Sequence, residues 1–561
     1  MSTDPNNPPE ISTDTSTACI TMDGQRLKEL IEAAMTWVKT NQQTINALNV
    51  FPVPDGDTGT NMLLTMQAAY NEIAASGERN IGKMAHAVAQ GALMGARGNS
   101  GVILSQIWRG FARGLDSLDT MNAEVFAHAL DESRATAYKG VVRPVEGTIL
   151  TVIKDVSTAA QKVSKETDDL VRVLQYIVNA ADDSVQHTPE LLPILKQAGV
   201  VDSGGKGLYF LLEGMLRHIK GLPLETPTTT VQPLAAMKLD EAMEDIEPGQ
   251  DYEVVVDFRP TEPLNLEKFY EGLGEIGTSI QVGEGDGMYR MHIHVATDKK
   301  YEPIEYTQKL GTITKVAMEN LLVQMENRQE SSDQKINLAP VEPGHIAVVA
   351  VSPGKGISRI FASLGVAAIV EGGQTMNPST EEILHALENL PTDKIIILPN
   401  NKNIIMAAQT AASVTVKNVA VIPTSSVPQG LSAMLRLVGD ADFDHIVTEM
   451  NEAIHEVETG EVTEATRTVE INGVDVKSGE VIALLNGKLV SASPTLDIAC
   501  EKLLESAGTI DRERITIFYG ANISRNEVNR ITDKIRNIYP NHEIEIHEGG
   551  QPHYQFIFMI E

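Results

Sequence analysis

The most informative part of the sequence lies at residues 49–62 and reads NVFPVPDGDTGTNM. Its two prolines and two glycines prevent a continuous helix or strand, so we predict a structured loop. Before the loop, apolar residues recur at helical spacing from Leu27 to Val38, and after it a second helix is predicted over Met62–Ile73. Because almost no strand pattern occurs in this part of the chain, the loop belongs to an all-helical domain.

The rest of the chain divides into regions of different pattern. The strand patterns at His345–Val351, Lys394–Leu398 and Asn418–Ile422 are separated by helical segments, which predicts βαβ units and a parallel sheet. The predicted organisation is a disordered tail at 1–20, an all-helical barrel or bundle at 21–220, a linker at 221–250, a small α/β middle domain at 251–325, a second linker at 326–344 and a C-terminal α/β region at 345–561.

Composition excludes several classes of protein. The 561 residues carry a formal net charge of −31, which disfavours binding to nucleic acid or to an anionic membrane surface. No run of 18 apolar residues occurs, so we expect no integral membrane segment. Only two cysteines are present, which rules out a disulfide framework or a cysteine-based zinc site. The polar, acidic N-terminus does not resemble a signal peptide, and we expect a cytoplasmic protein.

Two carboxylates in the loop have a spacing that suits a metal site. Asp55 and Asp57 are separated by one glycine, so both can be directed at one point, and Asn49 offers a third oxygen. Oxygen ligands of this kind suit Mg²⁺. The alternative is a capped turn, in which Asp and Gly recur for backbone reasons alone. An EF-hand is excluded, because the twelfth position counted from Asp55 is Met66 rather than Glu.

Phosphate-binding features accompany these carboxylates. Residues 58–61 lead into the second helix, where free backbone N–H groups could accept phosphate. Two further Gly-rich loops, GARGNSG at 95–101 and VDSGGKG at 201–207, also precede helices. Each loop can be explained singly as a turn or cap, but three in one helical domain are more than packing requires. None is a Walker A loop, because Lys206 is followed by Gly207 rather than Ser or Thr.

Four motifs together resemble the nucleotide-binding domain of dihydroxyacetone kinases. They are, in chain order, NVFPVPDGDTGTNM at 49–62, GARGNSGV at 95–102, RPVEGT at 143–148 and VDSGGKGL at 201–208. More closely, and over nearly the whole chain, the order of a helical domain, a small α/β domain and a C-terminal α/β region resembles the bacterial fatty acid kinase catalytic subunit. The first motif is long and specific, and the others occur in the expected order.

The resemblance implies an ATP site with two Mg²⁺ ions in the helical domain. Asp55 and Asp57 resemble the family's catalytic, metal-binding carboxylates, and Asn49 resembles a further metal ligand. The residues that resemble the family's nucleotide contacts are Thr58, Gly59, Thr60, Asn61, Ser100, Gly101, Thr148, Asp202, Ser203 and Gly204.

Two histidines in the middle domain bear on a second metal. His292 and His294 lie on one face of a predicted strand, because side chains alternate with a period of two. In the family this domain often carries a Cys together with a His-x-His strand that can hold zinc, and Val255 stands at the cysteine position here. With no cysteine nearby, the sequence does not support a complete zinc site. We interpret the pair as structural or as a partner contact.

The resemblance also implies the reaction. ATP would transfer its γ-phosphoryl group to the carboxylate of a fatty acid, giving an acyl phosphate. A carboxylate is already ionised at neutral pH, so no general base is required. Arg97, Arg143 or Lys206 could steady the transferring phosphoryl group, and the sequence does not rank them.

Partners follow from the same family. The fatty acid is expected to arrive on a separate fatty-acid-binding carrier protein, with the C-terminal region as its docking surface and the middle domain as a contact in a homodimer. Two other functions remain open. One is a kinase of dihydroxyacetone or a similar small carbonyl compound, although the chain lacks a recognisable substrate-binding half of that enzyme. The other is a nucleotide-sensing scaffold without catalysis, although a scaffold does not need a carboxylate cluster.

Overall fold

The structure, a computed structural model, describes most of the chain. The described residues are 19–49, 56–224, 232–233, 251–262, 264–285, 288–320, 336, 338–374, 376–465, 469–471, 474–477 and 479–561. Nearly all of the predicted tail, most of the two predicted linkers, and Asp55 lie outside the described residues.

Helices alone make up the N-terminal region within the described residues. They are α1 (Gly24–Thr40), α2 (Gln42–Leu48), α3 (Thr58–Ile73), α4 (Ile81–Met94), α5 (Gly98–Gly114), α6 (Ala123–Lys139), α7 (Ile149–Val163), α8 (Leu170–Leu191), α9 (Pro193–Ala198) and α10 (Ser203–Ile219). The long helices pack against their neighbours in chain order, and α1 contacts both α3 and α10, which closes the ring. The ring encloses an apolar cavity of about 90 Å³. The predicted helical barrel is therefore confirmed.

Apolar spacing and capping explain why α1 forms where it does. Leu27, Leu30, Ile31 and Val38 recur on one face, and all are buried in the barrel core. The Asp23 side chain accepts a hydrogen bond from a first-turn backbone N–H, which satisfies a donor that has no partner within the helix.

The middle region is a five-stranded sheet with two helices on one face. The strands are β1 (Gln232–Pro233), β2 (Tyr252–Pro260), β3 (Thr278–Gly285), β4 (Met288–Val295) and β5 (Gly311–Asn320), in the order β1-β3-β4-β2-β5. Helices α11 (Leu266–Gly274) and α12 (Glu302–Leu310) cover the face that carries Val254 and Ile293. The two histidines of β4 lie on the opposite face.

The C-terminal region begins with a parallel four-stranded sheet. Its strands are β6 (Ala347–Ser352), β7 (Ala368–Glu371), β8 (Lys394–Leu398) and β9 (Asn418–Val421), in the order β7-β6-β8-β9. Its helices are α13 (Lys355–Ser363), α14 (Thr380–Glu388), α15 (Ile405–Val414), α16 (Val427–Met434) and α17 (Phe443–Ala453). The predicted βαβ units are confirmed, and β7 is a strand that the sequence patterns did not indicate.

A six-stranded mixed sheet follows and shares a hydrophobic core with the parallel sheet. Its strands are β10 (Glu458–Glu464), β13 (Val481–Leu485), β14 (Lys488–Ser493), β15 (Arg514–Tyr519), β16 (Glu543–Glu548) and β17 (Tyr554–Ile560), in the order β14-β13-β10-β17-β15-β16. Helices α18 (Leu496–Ser506) and α19 (Arg525–Ile538) pack on it, and β11 (Val469–Ile471) and β12 (Val474–Val476) form a separate hairpin.

The helical barrel and the parallel sheet are in direct contact. Ala96 and Val102, which flank the start of α5, are buried in the same cluster as Val349 of β6 and Ile397 of β8. Among the described residues, none of the helices combines the length and apolar character needed to cross a membrane.

Candidate active site

The starts of four barrel helices are linked by direct contacts. The Ser203 hydroxyl donates to the hydroxyl of Thr58, which joins the first residues of α10 and α3 at 3.2 Å. Asp202, just before α10, also accepts from the backbone of Ile149 at the start of α7. Gly98, at the start of α5, lies against the side chain of Asn61 in α3. Each helix start carries partial positive charge, so this group of helix starts favours the binding of an anion.

Asp57 belongs to this group of helix starts. It directly precedes α3 and is only 5% exposed. Its Oδ2 atom accepts a hydrogen bond of 2.5 Å from the Nδ2 atom of Asn377, a residue of the C-terminal region that is 320 positions away in sequence. The candidate carboxylate therefore lies where the barrel meets the parallel sheet.

The side chain of Asn46 holds the start of α3. Its Oδ1 atom accepts from the backbone N–H groups of Gly59, at 2.7 Å, and Thr60, at 3.3 Å. The Thr60 hydroxyl in turn accepts from Asn46 and from Gln42 of α2. These two N–H groups, which the sequence suggested would be free for phosphate, are engaged by Asn46 because α2 packs on the start of α3.

Asp202 has a clear structural function at the start of α10. Its Oδ2 atom accepts from the Gly205 N–H at 2.7 Å, and its own N–H donates to the hydroxyl of Thr188. Burial raises the pKa of Asp202 to about 6, while the backbone donors of Gly205 and Ile149 act in the opposite direction. The carboxylate thus caps α10, and Gly204 packs directly beside it and against Ile149.

The glycines in the first turn of α5 allow α3 to pack closely against this helix. Gly98 has a φ of +56°, which favours glycine, and a Cβ there would lie 2.7 Å from the Asn61 amide. A Cβ at Gly101 would lie 2.4 Å from the hydroxyl of Thr65. Ser100 lies between these glycines, and no side chain caps this helix. Its leading N–H groups therefore suit phosphate better than those of α3.

Thr148 directly precedes α7 and forms hydrogen bonds with neighbouring residues of the chain. Its hydroxyl donates to the Val145 carbonyl at 2.8 Å and accepts from the Leu150 N–H at 3.3 Å. Thr148 is thus the cap of α7, next to the Ile149 backbone that Asp202 contacts. Its predicted contact with a nucleotide stays a prediction.

The predicted metal ligands can be placed only in part. Asn49 ends α2 and Asp57 precedes α3, while Asp55 lies outside the described residues. In the part of the chain that the structure describes, no group of three or more His, Cys, Asp or Glu side chains is arranged to hold a metal ion. The side chains near the start of α3 offer carboxylate, amide and hydroxyl oxygens as metal ligands. Oxygen ligands of these kinds fit Mg²⁺ rather than a softer metal.

The three candidate cations have different surroundings. Arg97 donates to the Asn377 carbonyl at 2.9 Å and pairs with Glu382 at 3.2 Å. The Lys206 ammonium pairs with Asp182 at 3.2 Å and lies over the Tyr209 ring. Arg143 is exposed on the loop before α7. Among the contacts of the described residues, Arg97 is the candidate that bonds to Asn377, which in turn contacts Asp57.

The histidine pair of the middle domain lies in a buried polar cluster. His292 and His294 are fully buried, with ring centroids 4.9 Å apart. His292 contacts Glu253 at 3.0 Å through Nε2 and the Ser279 carbonyl at 3.1 Å through Nδ1. Burial lowers the pKa of His294. The interpretation of the pair as structural or as a partner contact stays a prediction.

A second cavity, of about 260 Å³, lies between the two C-terminal sheets. Pro353 and the loop at Ser425 and Ser426 line it, as expected for loops at the carboxyl ends of parallel strands. Glu461 of β10 also faces it, and burial raises the pKa of Glu461 to about 7 although Lys402 acts in the opposite direction.

Two residues with central contacts were missed in the sequence. Asn46 lies between the predicted first helix and the loop, where asparagine gives no distinctive signal. Asn377 lies in the third region of the chain, and its contact with Asp57 depends on how two domains pack. Only the proximity of Asn46 to the loop could have suggested a function.

Patterns of known families cover most of the chain. The DAK2 domain matches residues 52–217, and the C-terminal domain of FakA-like fatty acid kinase proteins matches residues 347–561. The middle domain of the same FakA-like proteins matches residues 247–328. The chain belongs to the FakA-like fatty acid kinase family. The resemblance inferred from the motifs is thereby confirmed.

Full-length relatives support this assignment. The protein YloV of Bacillus subtilis strain 168 is 39% identical over 552 residues, covering 96% of this chain and 99% of YloV. An uncharacterised protein of Staphylococcus aureus strain MRSA252 is 37% identical over 555 residues, with the same coverage of both chains.

Two solved structures of other proteins align with part of the chain. The fatty-acid-binding protein DegV of Bacillus subtilis covers 38% of it, with 99% of DegV aligned, 18% identity and a TM-score of 0.30. The fatty acid kinase B3 protein of Streptococcus pneumoniae, loaded with linoleic acid, also covers 38%, with 99% of that chain aligned, 12% identity and a TM-score of 0.28.

Proposed function

We propose that this chain is an ATP- and Mg²⁺-dependent kinase that phosphorylates the carboxylate of a fatty acid to an acyl phosphate. Membership of the FakA-like fatty acid kinase family supports this proposal. The observation that carries it is the group of linked helix starts around the buried carboxylate of Asp57. Such a site suits phosphoryl transfer, which requires charge stabilisation and alignment more than acid–base chemistry.

Different groups in the site would bind the metal ion and the phosphates. Asp57, Asp55 and Asn49 would hold Mg²⁺, which supplies neutralisation of the phosphate charge when it is bound. The start of α5, which no side chain caps, presents backbone donors to the phosphates of ATP. The linked starts of α3, α7 and α10 add their dipoles. The fatty acid carboxylate attacks the γ-phosphorus, and ADP leaves with the bridging oxygen.

The fatty acid is presented by a separate fatty-acid-binding protein in this proposal. The described structure has an apolar cavity inside the barrel and a cavity of mixed polar and apolar lining between the C-terminal sheets. Docking of the carrier at the C-terminal region, a homodimer through the middle domain, and a cytoplasmic location are further parts of the proposal.

Trapping of the product tests the proposal. The full chain is incubated with Mg-ATP, hydroxylamine and oleate loaded on a bacterial fatty-acid-binding protein, and fatty hydroxamate is quantified. We expect Asp57→Asn to lower hydroxamate formation at least about 100-fold, because a charged ligand of the metal is lost. The matched control is Asp533→Asn, because the Asp533 side chain is 71% exposed on α19.

Three outcomes would count against the proposal. Equal hydroxamate from wild type and Asp57→Asn would contradict the function assigned to Asp57. ATP consumption with dihydroxyacetone but without hydroxamate would favour the small carbonyl substrate. Nucleotide binding without turnover of either substrate would favour a scaffold.

A further inference from the structure

One segment of the C-terminal region crosses to the helical barrel. This crossing segment, Asn377–Glu382, leads into α14 and lies against the turn before α5. The Thr380 N–H donates to the Ala96 carbonyl at 3.1 Å, and Arg97 forms an isolated β-bridge with Ser379. The Arg97 guanidinium adds contacts to both ends of the segment. Backbone and side-chain bonds thus fix the segment at the candidate site.

Asn377 is the residue of this segment that bonds to Asp57. It is only 3% exposed, and its Nδ2 atom lies 3.4 Å from the position of a Cβ on Gly98. The orientation of its amide follows from chemistry, because an ionised Asp57 only accepts hydrogen bonds and must face the amide nitrogen. Asn377 is therefore in contact with both the carboxylate and the first turn of α5.

The other atom of the same amide has no hydrogen-bond partner. The Asn377 Oδ1 atom is buried and accepts no hydrogen bond in the described structure. A buried carbonyl oxygen without a partner is unfavourable, so this atom has an acceptor position available to a water molecule, an ion or a ligand. An amide oxygen beside a carboxylate is a ligand of the kind that Mg²⁺ and its bound water accept.

We propose that Asn377 is a positioning residue that the C-terminal domain contributes to the metal–phosphate site. Its amide nitrogen fixes the carboxylate of Asp57, and its amide oxygen accepts from water bound to the metal ion or binds the ion itself. The inference rests on the metal function proposed for Asp57. The site is then complete only when the barrel and the C-terminal domain are in contact.

Two alternatives to this function of Asn377 predict different results. If Asn377 only packs the interface, its removal lowers stability without changing metal affinity. If its amide nitrogen instead blocks Asp57, removal of the amide strengthens metal binding. Metal affinity therefore distinguishes a positioning residue from a packing residue and from a blocking one.

The test measures Mn²⁺ binding to the full chain by electron paramagnetic resonance, with ATP present and without fatty acid. We expect Asn377→Ala to weaken Mn²⁺ binding by about 10-fold or more, the effect typical of losing a partner of a metal ligand. The control Asn541→Ala, at an exposed position between α19 and β16, should bind like wild type. Unchanged or tighter binding in Asn377→Ala would overturn the proposal, as would the absence of Mn²⁺ binding by wild type.

A second variant covers the case in which Asn377→Ala does not fold. Asn377→Asp places a second carboxylate against Asp57, so the two repel each other unless a cation is bound. Mn²⁺ should therefore raise its melting temperature more than that of wild type. An equal or smaller increase would overturn the proposal. Because these readouts need no fatty acid, Mn²⁺ binding that depends on Asn377 without hydroxamate formation would refute the proposed reaction alone.

Discussion

Gly59, the second residue of α3, provides a direct test of how α2 packs against the start of α3. A Cβ at this position would lie 2.5 Å from the Gln42 carbonyl oxygen and 2.8 Å from the Oδ1 atom of Asn46. The first of these atoms is backbone and cannot rotate away. Gly59→Ala therefore has to push α2 off the start of α3 and break the two hydrogen bonds that Asn46 accepts there.

The expected loss of stability in Gly59→Ala is the sum of one stabilising and two destabilising contributions. Replacing a helical glycine by alanine contributes about 1 kcal/mol in favour of folding. Overpacking costs about 1–3 kcal/mol, and each lost hydrogen bond costs about 1 kcal/mol. The net expectation is a local destabilisation of about 2–4 kcal/mol at the junction of α2 and α3. This corresponds to amide hydrogen exchange that is at least about 30-fold faster in that region.

Hydrogen exchange followed by mass spectrometry is the appropriate assay, because unfolding of a multidomain chain is not a two-state process. The matched control is Gly274→Ala, since a Cβ on this residue of α11 meets no atom within 4 Å. That variant should leave exchange at α2 and α3 unchanged. Unchanged exchange at α2 and α3 in Gly59→Ala would refute the packing described between these two helices.

Two further predictions concern the C-terminal region. Because burial raises the folded-state pKa of Glu461 to about 7, the folded chain binds more protons than the unfolded chain between about pH 5 and 7. Stability should therefore fall as pH rises through this range. Glu461→Gln should reduce the loss of melting temperature between about pH 5 and 8. An equal loss in both proteins would contradict the raised pKa of Glu461. Arg97→Ala removes a partly exposed ion pair worth about 1 kcal/mol, so hydrogen exchange in residues 376–388 should become about 5-fold faster. The control Arg536→Ala, from an exposed pair within α19, should leave hydrogen exchange in residues 376–388 unchanged. Unchanged exchange in Arg97→Ala would contradict the prediction, because it would show that this ion pair does not stabilise the crossing segment.

Local periodicity was sufficient to predict much of the fold. The helical spacing that begins at Leu27 produces the buried face of α1, and the apolar run of β8 becomes a central strand of the parallel sheet. These patterns work because each element buries a face whose repeat is visible in its own sequence.

Other elements lack such a repeat. Strand β10 reads ETGEVTE, which is polar, yet it pairs with both β13 and β17 within the mixed sheet. Its place depends on the apolar strands beside it rather than on its own composition, so periodicity could not reveal it. Strand β7 is only four residues long, too short for its pattern to be distinct.

The candidate site shows the same division. The motifs placed Asp57, Asn61 and Ser203 in one domain, and the structure brings the helix starts that carry them into contact. The contact of Asp57 with Asn377 spans 320 residues and arises from domain packing, which no local pattern records. The assignment of individual residues to metal or nucleotide binding remains a prediction.

The fate of the carboxylate oxygen tests the central proposal most directly. Oleate labelled with oxygen-18 in both carboxylate oxygens is loaded on its carrier and incubated with the chain, Mg-ATP and hydroxylamine. If the carboxylate attacks the γ-phosphorus, hydroxylamine then cleaves the acyl phosphate at carbon, and the released phosphate carries one oxygen-18 atom. Mass spectrometry of that phosphate should show the label in proportion to the hydroxamate formed. Unlabelled phosphate alone would contradict the proposal, because it would show that the fatty acid carboxylate is not the nucleophile.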